Sequence, residues 1–142
     1  MSLADRVRDL LRRREPPELR RFGNAVDDPA LVVVAEAFDP IEADSSVLAR
    51  SPSWIWDRKA VLRHHLLLHA ERIAEAAQIL AQDGYTLREV RGEDARVLVH
   101  VSRVQLIDAL HCAQERSRMA GLAQRLGGDA LGWDALQAPA PV

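Results

Sequence analysis

Apolar and polar positions follow two different rhythms along this chain. From residue 60 onward they alternate, or recur at helical spacing, in segments punctuated by glycine; before residue 60 they form short runs broken by proline, aspartate and serine. Ala60–His69 (AVLRHHLLLH) reads as a strand with Leu62, His64, Leu66 and Leu68 on one face and Arg63, His65, Leu67 and His69 on the other, because successive side chains of an extended chain point to opposite sides. Residues 70–83 switch to the helical period, with Ile73, Ala76, Ala77 and Leu80 on one side, and Gly84 stands where a C′ glycine ends a helix. Residues 85–90 and 96–101 predict a hairpin turning at Gly92-Glu93-Asp94, in which Val97, Val99 and Val101 alternate with Arg96, Leu98 and His100.

Ser102 and Gln105 fit the S-x-x-Q capping box, in which the hydroxyl accepts the N3 amide and the glutamine reaches back to the cap. A helix is therefore expected from Ser102 to about Leu126, stopped by Gly127-Gly128 and packed on the core through a seam of Leu106, Leu110, Ala113, Ser117 and Ala120. The far end of that helix, Ser117 to Gly121, can reach beyond the sheet toward a second copy. Residues 130–138 supply a last extended segment. The order strand, helix, strand, strand, helix, strand predicts an α+β, ferredoxin-like βαββαβ fold, an antiparallel sheet with two helices on one face and the other face open.

The first part of the chain is less regular. Residues 3–14 (LADRVRDLLRRR) form an amphipathic helical pattern ended by Pro16-Pro17. Asp28-Pro29 resembles an N-cap followed by proline at the first helical position, so DPALVVVAEAF is expected to be a second helix, although its three valines also suit a strand. Residues 39–57, rich in Pro, Asp and Ser, read as an irregular connection whose Trp54 and Trp56 cover an apolar face. The expected organisation is a helical and irregular segment over 1–58, a domain over 59–138 and a disordered tail over 139–142.

Composition narrows the functional classes. With 142 residues, 48% hydrophobic and 28% charged, the chain suits one globular domain. Its longest apolar runs fall far short of the ~20 residues that cross a bilayer, and no basic, then apolar leader opens it, so a cytoplasmic location is expected. A net charge of −2 gives no global pull toward nucleic acid or acidic membrane. The single cysteine, Cys112, has no intramolecular partner and reads as a small buried hydrophobe. Only Lys59 among 19 basic residues is a lysine, the usage of a GC-rich genome.

Little in the sequence points to catalysis. His64 and His65 face opposite sides of their strand, and His65 and His69 sit ~13 Å apart at strand spacing, leaving His65 with His100 as the one cross-strand pairing that a metal could join. No cysteine or acidic cluster supports that site, and there is no nucleophile elbow, HExxH or phosphate-cradling loop. No catalytic, metal or cofactor residue is assigned, and a non-enzymatic role is expected. The open sheet face is the candidate partner surface: Arg63, His65, Leu67, His69, Arg88, Arg96, Leu98 and His100. Basic with apolar spots, it suits an acidic protein segment, a second copy of the chain, or residues 1–58 folded back. RNA-binding domains of this topology stack bases on aromatic residues of the central strands, and these strands have none, so direct nucleic-acid binding is not expected. A small-molecule or metal-dependent enzyme or sensor on the same scaffold is the alternative, with a structural homodimer a third reading.

The closing stretch GGDALGWDAL carries one more signal. Gly127 can end a helix, Gly128 can turn the chain, Gly132 can admit a neighbouring backbone or ring, and Trp133 can bury a large apolar area beside Asp134. Trp133 and Asp134 are also candidates for a partner surface. Together with ILAQDGYTLREV, these residues give residues 59–137 a pattern that resembles the RraB family of ribonuclease E activity regulators, whose domains close with a GG-x-x-D-G-W-E-like motif. The sequence departs from it at Leu131, where the family has aspartate. The resemblance implies a ferredoxin-like fold and a protein partner, ribonuclease E or a comparable RNA-processing protein.

Overall fold

A computed structural model describes residues 25–139. Five strands form one antiparallel sheet: β1 (Val32–Ala37), β2 (Ala60–His69), β3 (Thr86–Glu93), β4 (Arg96–Gln105) and β5 (Asp129–Gln137), in the order β1-β5-β2-β4-β3. Three helices pack on it, α1 (Asp44–Ala49), α2 (Ile73–Ala81) and α3 (Ala109–Arg125), with 3-10 turns at Ala25–Asp27 and Ala70–Arg72. The fold is α+β. No helix among the described residues is long and apolar enough to cross a membrane. The helical pattern over residues 3–14 lies outside the described residues, as does most of the expected tail.

From residue 60 the element order matches the expectation, with one large displacement. β2 pairs with β4 along its whole length, from Ala60 opposite Gln105 to His69 opposite Arg96. Ser102 to Gln105 therefore continue a strand instead of capping a helix. Four more rungs of ladder, two residues per rung, outweigh one local capping box. The helix starts at Ala109, capped by Asp108, whose carboxylate accepts the His111 N–H at 2.7 Å. Its true phase buries Cys112, Glu115, Met119, Leu122 and Ala123. The expected seam is on the other side: Leu106 and Leu110 are 54% and 63% exposed, and Ala113, Ser117 and Ala120 are exposed with them. Asp108→Ala is expected to cost about 1 kcal/mol through loss of the cap, read as a lower urea midpoint with an unchanged slope.

Residues 28–57 hold two further corrections. Asp28-Pro29 forms a turn, with Asp28 accepting the Ala30 N–H through its side chain and the Leu31 N–H through its carbonyl. The valines that follow become β1, an edge strand on β5. Three β-branched residues favour the pleated surface offered by the otherwise unpaired side of β5. The expected irregular connection contains α1, whose Val47 and Leu48 join the core. Trp54 packs against that core as expected, whereas Trp56 is 74% exposed. In the hairpin the turn is Asp94-Ala95 rather than Gly92 to Asp94, and Asp94 takes φ 58°, a conformation that aspartate tolerates better than most residues.

All three helices share one sheet face. Leu66, Leu68, Val99 and Val101 meet Ala76 and Leu80 of α2 and Met119 and Leu122 of α3. Leu62, Ala135 and Trp133 meet Val47 and Leu48 of α1 and Cys112 of α3. Burial pushes the Cys112 thiol up to about 12, which keeps it protonated and chemically quiet.

Candidate functional site

On the opposite face the alternation of β2, β4 and β3 brings the expected surface residues together. Arg63, His65, Leu67 and His69 stand in cross-strand register with Ser102, His100, Leu98 and Arg96, and Arg88 of β3 lies opposite His100. All eight expected residues are half-buried. None of the described helices lies on this face; the turn Ala25–Asp27 reaches it where Asp27 pairs with Arg88, and the Phe38 ring meets His65 edge-on at 4.9 Å.

The electrostatics differ from the sequence reading. Arg63 donates to both oxygens of Asp134, from Nε at 2.8 Å and Nη2 at 2.6 Å, and His65 Nε2 bonds the same carboxylate at 3.0 Å. Arg96 pairs with Asp129 at 3.0 Å and Arg88 with Asp27. Such exposed pairs add little stability, but they cancel the positive field. The face is not basic: three of its arginines are answered by aspartates that the strand pattern did not place beside them. Burial works to raise the Asp134 pKa, yet hydrogen bonds from His65 and Arg63 outweigh it and hold the group below the usual carboxylate range. Nε2 of His65 therefore carries the proton that it shares with Asp134.

What remains at the centre is His100 with Leu67 and Leu98. His100 contacts His65 with ring centroids 4.3 Å apart. Burial, then the neighbouring His65 and Arg63, lowers the His100 pKa to about 4, so its ring is neutral near pH 7. Leu67 and Leu98 face each other one pair further along. His65 and His100 do come together as the cross-strand pairing allowed. Among the described residues, however, no group of three or more His, Cys, Asp or Glu is placed to hold a metal ion.

The closing motif serves the interior. Trp133 is fully buried and donates its indole N–H to Asp44 Oδ1 at 3.0 Å, and Asp44 also accepts from Arg116 at 2.8 Å. With Asp134 also buried in its cluster, neither Trp133 nor Asp134 offers itself to a partner, contrary to that expectation. Gly127 ends α3 with φ 71°. A Cβ at Gly128 would overlap the Leu67 carbonyl, and one at Gly132 (φ 137°) would overlap the Ala37 carbonyl and press on the Phe38 ring. Both glycines let strands and ring approach more closely than any side chain permits.

A second polar cluster lies on the helix side of the sheet. Glu115 of α3, buried, accepts from Arg103 Nη2 and Gln105 Nε2, each at 2.6 Å, and from the Tyr85 hydroxyl, while the Arg103 guanidinium lies 4.2 Å from the Tyr85 ring centre. Its signal in the sequence is the run Arg103 to Gln105, which becomes visible only once β4 is extended past Val101.

Comparison of the chain with family models, with curated proteins and with solved structures gives no match.

Proposed function

We propose that residues 59–138 form a ferredoxin-like unit extended at one edge by β1, and that the protein is a non-enzymatic, cytoplasmic interaction module whose protein partner seats on the open sheet face. The observation that carries this reading is the paired centre of that face. Leu67 stands opposite Leu98 beside His65 opposite His100, on a side of the sheet that no described helix occupies. Because Arg63, Arg88 and Arg96 are paired within the chain, the face suits a partner with an apolar centre and a mixed polar rim rather than a polyanion. The RraB-like closing motif makes ribonuclease E, or a comparable RNA-processing protein, the first partner to test.

Pull-down with the host ribonuclease E, followed by a cleavage assay, tests the partner. The expected result is binding at micromolar concentration and a changed cleavage rate; absence of binding removes ribonuclease E from the account. Sedimentation of the protein alone tests the rival reading of a homodimer, which predicts a concentration-dependent mass that falls in Leu67→Asp and Leu98→Asp.

A further inference from the structure

A second region of the molecule has the features of a small-ligand site, and it lies on the helix side of the sheet, away from the face just described. A cavity of about 210 Å³ opens between α3, the start of β5 and Pro40. That is well above the ~10–15 Å³ that admits a single water molecule, and it has room for a short organic molecule. His64, Arg116, Met119, Ala120, Leu131 and Gly132 line it.

Two of those residues are polar, and both have bonding capacity to spare. The His64 side chain is buried, and its Nε2 has no hydrogen-bond partner among the described residues. A buried ring nitrogen in that state carries an uncompensated desolvation cost, which a ligand atom can relieve. Arg116 spends one terminal nitrogen on Asp44 at 2.8 Å and the other on the Asp39 carbonyl at 3.2 Å. A guanidinium has five N–H groups, so donors remain for a ligand. Asp44 itself is held by the Trp133 indole, which fixes the direction in which the Arg116 fork points. Met119, Ala120 and Leu131 supply apolar wall.

We infer that this cavity binds a small aliphatic monocarboxylate, its carboxylate taking N–H donors from Arg116 and its short chain lying against Met119, Ala120 and Leu131. A phosphate would fill the polar end alone and leave the apolar wall wet. An alcohol of equal length would forgo the charge-assisted bond. The preference for carboxylate over both is the distinguishing property.

Titration of isotope-labelled protein with butanoate and hexanoate, followed by the imidazole signals of His64 and the methyl signals of Met119 and Leu131, tests the inference. Saturable shifts at millimolar concentration are expected, stronger for hexanoate, with no saturable response to butanol, hexanol or inorganic phosphate. Arg116→Gln is expected to weaken binding by about ten-fold or more. Ala120→Phe, at an exposed helix position on the cavity wall, is expected to abolish the shifts by filling the space while circular dichroism and the unfolding midpoint stay near those of the parent. Two results would overturn the inference: no saturable shift with either carboxylate, or shifts that persist in Ala120→Phe or are matched by the alcohols or by phosphate. The outcome is independent of partner binding on the open face, which these ligands and substitutions do not touch.

Discussion

Trp133→Ala is expected to lower the unfolding free energy by about 3–5 kcal/mol, the range for deleting a fully buried tryptophan. For a domain whose total stability is of order 5–15 kcal/mol, that leaves little or no folded population at elevated temperature. The reason is both volume and polarity. The indole, carried on β5, fills the junction of β1, α1, β2 and α3 with Ala37, Val47, Leu62 and Cys112, so its removal opens a cavity shared by those four elements. It also removes one of the donors to Asp44, a buried carboxylate that Arg116 also holds. Trp133→Phe separates the two contributions, keeping most of the apolar contact while losing the N–H, and should cost roughly 1–3 kcal/mol. Urea unfolding followed by circular dichroism reads both; a loss below 1 kcal/mol for the alanine variant would contradict the placement of Trp133 at the junction.

Acid should destabilise the protein well before its carboxylates are protonated. Burial lowers the His64 pKa to about 4 from an ordinary 6.5, with the nearby Glu115 opposing the shift. As pH falls below 6.5 the unfolded chain takes up a proton on this histidine while the folded chain does not. The folded state therefore loses about 1.4 kcal/mol per pH unit from this group. The loss continues to about pH 4, where the folded form also titrates, and accumulates to ~3 kcal/mol. His100, lowered in the same direction, steepens the slope over the same window. Asp134 works the other way round in pH: its depressed pKa contributes stability above the ordinary carboxylate range, lost only at more acid values. Unfolding free energies measured from pH 7 to pH 4 should fall steadily, and His64→Leu should flatten the dependence between pH 6.5 and 4. A parent profile flat over that window would contradict a neutral, buried His64.

The strands from residue 60 were legible because alternation over several residues is a strong signal. Ala60–His69 was readable to the residue, including which side of the sheet each histidine faces. Local chemistry misled where long-range pairing decided the structure. The capping box at Ser102 and the Asp28-Pro29 pair are valid helix starts in isolation, yet each gave way to a neighbouring strand edge, β2 in one case and β5 in the other. The error at Ser102 also rotated the expected helix face, which put Leu110 in the core and left Glu115 out of it.

The candidate face was legible as a set of residues but not as a charge distribution. Nothing in the spacing of Asp27, Asp129 and Asp134 reveals that they lie beside Arg88, Arg96 and Arg63, since register between distant strands sets those meetings. The closing motif is a fold-closing device, as its residue types imply. Gly132 does admit the Ala37 backbone and the Phe38 ring, and Trp133 does find an acceptor. Leu131, where the RraB-like pattern has aspartate, lines the helix-side cavity.

Amide hydrogen exchange with and without ribonuclease E reads whether the partner seats on the open sheet face. Added protection is expected in residues 63–69 of β2 and 96–100 of β4, with the outer side of α3 around Leu110 and Ala113 unchanged. Protection confined to α3, or a partner that binds and leaves the β2 and β4 amides exchanging as in the free protein, would contradict it.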